Sequence, residues 1–177
     1  MKINYKLATF AGGCFWCMIQ PFNVHGVYEV VAGYTGGNEK NPDYEKVSSG
    51  KTGHLEAIQI KYNPKEITYE KLLEIFWKQI DPTDSEGQFA DRGKQYETAI
   101  FYHDKTQKKI ANNSKKELKK KFGKIATMIK KSSEFYPAEE YHQNYYKKNP
   151  ISYKTYRNLS GRDEYREKVW DLGKNKR

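Results

Sequence analysis

Two thiols three positions apart, Cys14 and Cys17, are the side chains of this sequence best suited to covalent chemistry, and no other cysteine accompanies them. A framework of several structural disulfides is excluded by that count, and a lone C-x-x-C in a chain without an export signature points to redox or nucleophilic chemistry. The pair follows Gly12-Gly13, and the sequence predicts a helix opening near Cys14 and running toward Phe22. Unpaired N–H groups at a helix start favour the thiolate, which is the reactive form. Cys17, at i+3, lies on the same side of that first turn and is placed to attack an oxidised Cys14 and close a disulfide. The competing reading is a buried, inert thiol. Zinc would need two further ligands from His25, His54, His103 and His142, none of which shows the paired spacing of a zinc finger, so no structural metal site is expected.

Glu56 is the second unusual residue. In the run Leu55 to Tyr62, alternation puts Glu56, Ile58, Ile60 and Tyr62 on one face and Leu55, Ala57, Gln59 and Lys61 on the other. A carboxyl on the more apolar face loses the hydration its charged form needs, so its pKa rises and it is available as an acid near neutral pH. The alternative is a strand-end glutamate that reaches water. Tyrosine is abundant, 15 of 177 residues, and phenols line apolar pockets while still donating a hydrogen bond. Tyr34 and Tyr44, near a Gly-rich loop, and Tyr96 stand where a pocket can use them. Composition does not choose among them, nor does it assign Asp91 or any histidine.

These residues need elements to hold them. At 177 residues and 37% hydrophobic, the chain is sized for one domain with one core. Strands are expected at residues 5–10, 27–34, 55–62 and 96–102, with a helix after the first and a second helix capped by Thr68, carrying Leu72, Leu73, Phe76 and Ile80. The order βαββαβ is the signature of an α+β, ferredoxin-like (split βαβ) two-layer sandwich. Asp104 and Gln107 resemble a capping box that opens a Lys-rich helix with a thin stripe of Ile110, Leu118 and Phe122, read as a solvated surface helix. The Tyr-rich stretch beyond Lys131 is interrupted by Pro137 and Pro150, and a last helix is expected from Arg162 to Leu172. No repeat and no second domain is evident, so residues 1–177 read as a single unit.

The net charge of +10 is uneven: residues 1–104 are slightly acidic and residues 105–177 carry the excess. Lysine outnumbers arginine there, which suits solvated surface more than specific base reading, and no specific nucleic-acid partner is expected. No run approaches the roughly 20 apolar residues of a membrane span, and the N-terminal segment is too short in apolar residues for a signal peptide. A cytoplasmic protein with no membrane partner is expected.

The segments AGGCFWC, GYTGG, NPDYEKVSSGKTGHLEAI, DRGKQYETAIFY and AEEYHQNYYKKNP, in that order over roughly residues 7–150, resemble the methionine sulfoxide reductase A family, which reduces the S epimer of methionine sulfoxide. The resemblance implies a catalytic core at about 7–150 with a C-terminal helical extension at about 151–177. It implies Cys14 as nucleophile and Phe15 with Trp16 as the apolar wall for the substrate methyl group. Glu56 matches the family's acid, Tyr44 and Tyr96 its two phenols on the sulfoxide oxygen, and Asp91 a carboxylate of the same pocket. His142 takes a supporting place. The substrate is methionine-S-sulfoxide, free or in oxidised proteins. The implied reaction leaves Cys14 as a sulfenic acid and uses no metal or other cofactor.

One departure bears on resolution. Common family members carry Gly where Cys17 stands and draw resolving cysteines from a C-terminal tail, whereas no cysteine follows residue 17 here. Cys17 is therefore expected to attack the sulfenic acid, giving a disulfide that thioredoxin reduces; the alternative is direct resolution by glutathione or glutaredoxin. Two rivals lie outside the family: a general CxxC thiol-disulfide oxidoreductase, which leaves Glu56 and the aromatic set unused, and a polyanion-binding module resting on the Lys-rich stretch.

Overall fold

The computed structural model describes residues 4–170. It is a mixed α/β fold. The central sheet contains β1 (Lys6–Gly12), β2 (Val27–Thr35), β3 (Leu55–Tyr62), β6 (Thr98–Tyr102), β7 (Met128–Lys131) and β8 (Phe135–Pro137), in the spatial order β7-β6-β1-β3-β2-β8. The inner four, β6, β1, β3 and β2, are antiparallel to one another, with Phe10 opposite Ile58 and Ile100, and Tyr34 opposite Glu56, while β7 joins β6 in parallel. A separate two-stranded hairpin pairs β4 (Gly87–Gln88) with β5 (Asp91–Arg92).

The helices are α1 (Trp16–Ile19), α2 (Tyr44–Ser48), α3 (Tyr69–Trp77), α4 (Lys105–Phe122), α5 (Tyr145–Lys148), α6 (Pro150–Leu159) and α7 (Arg162–Trp170). Thr68 caps α3, its side chain accepting from the Lys71 N–H, and this helix buries Leu72, Leu73, Phe76 and Trp77. Those residues meet Phe10, Ile58, Ile60 and Phe22 on one face of the sheet, where Phe10 and Phe76 stack at 4.9 Å. Fully burying a ring of that size contributes roughly 1.5–3 kcal/mol. The opposite face is shallower: Ala11, Leu55, Ala57, Ala99 and Phe101 form a second cluster under Met128 and Phe135.

The expected alternation in β3 holds. Glu56, Ile58, Ile60 and Tyr62 are all buried, with the last three in the main core. The cap on α4 differs in detail: Asp104 accepts from the Gln107 N–H, but the Gln107 side chain answers to the N–H of His103, one residue upstream of the cap, and donates to the Leu7 carbonyl. The helix is more than solvated surface, since Ile110, Leu118 and Phe122 pack against the core.

Three expectations are corrected. The strand expected from Tyr96 starts at Thr98, because Gly93, at φ 128°, breaks the backbone into a 3₁₀ turn over Lys94–Tyr96. The two outer strands were not anticipated; MIKK and FYP are short and lack alternation, and Pro137 is tolerated because β8 is an edge strand. The helix after β1 opens at Trp16 rather than near Cys14 and lasts one turn, continuing as a 3₁₀ turn through Gln20–Phe22 with Pro21 inside it. The last expected helix is present as α7; its expected end at Leu172 lies outside the described residues.

Candidate active site

The loop from Gly12 to Phe15 leaves the end of β1 between the sheet and the β4–β5 hairpin. Gly13 sits at φ +79°, and a Cβ there would lie 2.6 Å from the Gln88 Cβ and 2.9 Å from an Arg162 nitrogen, so only glycine fits the approach. That turn brings Cys14 to the surface of a small cavity of about 70 Å³ lined by Cys14, Phe15, Trp16, Tyr44, Glu56, Asp91, Tyr96 and Tyr156. Seven of these eight are residues the sequence nominates.

Glu56 reaches the cavity from β3 and is 2% exposed, which excludes a strand-end carboxylate in water. Its Oε2 accepts the Phe15 N–H at 3.0 Å, so the donor at the start of α1 is directed at Glu56. Burial nevertheless dominates, pushing the Glu56 carboxyl up to about 8 against the opposing pull of that N–H. Tyr96 and Tyr156 are raised, both chiefly by burial, and keep their O–H protons as donors. Tyr156 donates to Asp91 Oδ2. Asp91 itself is raised by burial, a shift that this phenol and Arg162 oppose.

The apolar wall is held from outside. The Trp16 indole N–H donates to His142 Nδ1 at 3.0 Å, and its ring stacks on Tyr145 at 3.8 Å with an interplanar angle of 5°. His142 is buried, is lowered by burial, and lies 4.7 Å ring to ring from Tyr44 and 5.0 Å from Phe15. Glu139 ties the same shell together, accepting from the Tyr34 O–H and the Tyr44 N–H, both at 2.8 Å. Tyr34 is thus a support behind the cavity.

Both cysteines are reduced and buried. Burial acts against the thiolate expected at Cys14. Burial raises Cys14 well above the usual thiol range, and its S–H donates to Cys17. That hydrogen bond, joined by Arg162 and Arg157, outweighs burial and lowers Cys17 to about 6. Of the two sulfurs, Cys17 is the one whose ionisation its surroundings favour.

Tyr156, Arg157 and Arg162 escaped the sequence reading. They lie on α6 and α7, and the available signal was Asn149-Pro150 as a helix start followed by Tyr153, Tyr156 and Arg157 at helical spacing.

Two buried thiols, a carboxyl that burial raises toward its neutral form and an aromatic wall around a small polar niche are the groups that a thiol-dependent reductase of an oxygen-bearing substrate needs. The family profile of peptide methionine sulfoxide reductase matches residues 6–174. The chain is 55% identical over 174 residues to the peptide methionine sulfoxide reductase MsrA of Bacillus licheniformis, covering 96% of each chain. Among solved structures it is similar to reduced Mxr1 from Saccharomyces cerevisiae, with a TM-score of 0.79 and 38% identity over 83% of this chain and 87% of that one. It is also similar to Mxr1 in complex with Trx2, with a TM-score of 0.57 and 29% identity over 82% of this chain and 89% of the other. The chain belongs to the peptide methionine sulfoxide reductase family, and it is an enzyme that reduces methionine sulfoxide.

Proposed function

We propose that this chain reduces the S epimer of methionine sulfoxide, free or in oxidised proteins, with Cys14 as nucleophile and Glu56 as acid. The observation that carries the reading is the convergence of Cys14 and a buried, neutral Glu56 on one cavity walled by Phe15 and Trp16. Cys14 attacks the sulfoxide sulfur, and its proton passes to Cys17 along the hydrogen bond between the two sulfurs. Glu56 gives its proton to the oxygen, which passes from the methionine sulfur to the Cys14 sulfur as the bond between the two sulfurs breaks; Tyr44 and Tyr96 hydrogen-bond that oxygen, and Asp91, held by Tyr156, orders water or substrate. Methionine leaves and Cys14 becomes a sulfenic acid. Cys17 then attacks Cys14, expelling the hydroxyl, which takes up the Cys17 proton and departs as water. In sum, two protons from Cys14 and Glu56 and the sulfoxide oxygen become one water, and two thiol sulfurs become a disulfide. A pocket with its methyl wall at Trp16 and its acid at Glu56 is chiral and accepts one epimer.

Thioredoxin is the proposed reductant, supported by Mxr1 having been solved with Trx2. The proposed location is the cytoplasm: the reaction consumes dithiols, which a reducing compartment supplies, and among the described residues no helix is long and apolar enough to cross a membrane. The proposed organisation is one catalytic domain over residues 1–177. Its core is ferredoxin-like, a reading supported by the order β6-β1-β3-β2, in which fourth, first, third and second strands of the βαββαβ unit lie side by side.

Turnover of the separated epimers with dithiothreitol tests the reading. The S epimer is consumed and the R epimer is not; Cys14→Ser abolishes the reaction, and Glu56→Gln loses less than Glu56→Ala. Wild-type rates in Glu56→Ala at every pH would refute the acid. After one stoichiometric turnover without reductant, mass spectrometry shows a Cys14–Cys17 disulfide; a free Cys17 beside an oxidised Cys14 would instead assign resolution to an external thiol such as glutathione.

A further inference from the structure

Arg162 is fully buried, and among the described residues its guanidinium meets no carboxylate. It donates to two backbone carbonyls, Gly12 at 3.0 Å and Gln79 at 2.8 Å, lies 3.7 Å from the Met18 sulfur, and sits over the Phe89 ring at 4.8 Å. Its Nε has no partner among the described residues. Neutral acceptors solvate a cation but do not balance it, and a buried charge without a counter-ion is costly. Asp91 acts on the Arg162 charge through space, but that carboxylate is bonded to Tyr156 and not to Arg162, and the neighbouring arginines add positive charge. Arg157 and Arg166 both bond to the one carboxylate of Asp163, leaving that cluster net positive, and the Arg157 Nη1 reaches back to the Cys17 carbonyl at 3.3 Å. The Gly12–Met18 segment that these arginines grip carries two groups able to become anions, the Cys14 sulfur, which lines the cavity, and the Cys17 sulfur, whose own residue Arg157 holds through its carbonyl.

We propose that Arg162, seconded by Arg157, is a positioning residue whose buried charge is the counter-ion of the Cys17 thiolate, and that it serves the resolving sulfur both as attacker and as leaving group. The proposal rests on the reading that Cys17 resolves Cys14. In the reductive half, a dithiol reductant attacks the disulfide at Cys14, which is 7% exposed, and not at Cys17, which is 0% exposed. The new bond joins the reductant sulfur to Cys14, the Cys14–Cys17 bond breaks, and its electron pair leaves on Cys17. The second reductant thiol then displaces Cys14 and carries away both electrons' worth of oxidation as the reductant's disulfide. A lower thiol pKa speeds that departure.

The charged and titratable groups bearing on Cys17 from the surrounding elements are Arg157, Arg162, Asp91 and Glu56, together with Cys14, Tyr153 and Tyr156. The two arginines lower it and Asp91 opposes them. The rate of disulfide formation at pH 7 is a poor probe, since thiolate nucleophilicity falls as its pKa falls and nearly cancels the gain in thiolate fraction, with a Brønsted slope of about 0.4–0.5. The pH dependence is the informative readout.

The experiment follows disulfide formation after a single stoichiometric turnover, by quenched-flow mass spectrometry from pH 5 to 9, and then the pseudo-first-order reduction of the isolated disulfide by dithiothreitol. Wild type is expected to show a half-point below the ordinary thiol range, since the two arginines that lower Cys17 stay in place when oxidation of Cys14 removes its S–H. Arg162→Met is expected to move it up by about one unit, to slow disulfide formation about 3-fold at pH 6 and to slow reduction by dithiothreitol, while Arg162→Lys restores most of the lowered half-point. Arg157→Met is expected to shift the half-point in the same direction by a smaller amount, and it carries the comparison where Arg162→Met does not fold. A half-point unchanged in Arg162→Met, or in Arg157→Met when only that variant folds, overturns the counter-ion assignment. The underlying reading fails differently: wild type itself would then form no Cys14–Cys17 disulfide.

Discussion

Glu56 and Cys17 titrate in opposite senses because one is held among apolar groups and aromatic rings while the other accepts an S–H and faces guanidinium groups. In the proposed mechanism, methionine release in the first turnover needs Glu56 protonated and Cys17 ionised to take the Cys14 proton. Its pH profile is therefore expected to be bell-shaped, rising near 6 and falling near 8, and Glu56→Gln is expected to remove the alkaline limb along with most of the rate. Rapid-quench measurement of methionine from pH 5 to 9 checks this. The same shifts act on stability. The folded Glu56 pKa is raised from 4.5 to about 8, so its stabilising contribution is complete below 4.5 and is lost as pH rises through about 8. Cys17 is lowered from 9.0 to about 6, so its contribution is present above 9 and is lost as pH falls through about 6. Urea midpoints of Glu56→Gln relative to wild type are expected to climb between pH 5 and 8; a flat difference would show that the carboxyl is not buried neutral.

The one-turn helix α1 cannot by itself hold the nucleophile, and its position is set by the elements that clamp its lead-in. Gly13 packs against Gln88 of the β4–β5 hairpin, and Gln88 is fixed in turn by bonds to the Asp81 N–H and carbonyl, both at 2.8 Å. Gly13→Ala places a side chain at φ +79° into Gln88 and Arg162, and is expected to cost about 1–3 kcal/mol and to displace Cys14 from Glu56. Urea unfolding and single-turnover rates measure the two effects, which are expected together. On the other side, Trp16 is gripped by His142 and Tyr145, residues more than 100 positions away in sequence. His142→Ala is expected to leave the indole N–H unbonded, raise KM for the sulfoxide more than it lowers kcat, and lower stability by about 1–2 kcal/mol, as steady-state kinetics and thermal melts would report.

Across the whole molecule, the sheet supplies Glu56, the hairpin supplies Asp91, and the C-terminal helices line the cavity with Tyr156 and hold both ends of the Gly12–Met18 segment through Arg162. A chain ending at Asn149 is expected to keep strand content by far-UV circular dichroism and to lose about 100-fold or more in kcat/KM, because the cavity loses a wall and Arg162 its place under Gly12. Retention of wild-type turnover by that truncated chain would show that the helices only cover the core. The amino-acid sequence by itself singled out Cys14, Glu56 and most of the residues that line the cavity, since a cysteine after Gly-Gly and a carboxyl in register with isoleucines carry local, periodic signals. It also determined the inner strands, whose alternation is local too. The tertiary structure alone decided which of the two sulfurs is favoured to ionise: burial, a hydrogen bond between sulfurs and two arginines some 140 residues downstream act through space, and no spacing in the chain encodes their sum.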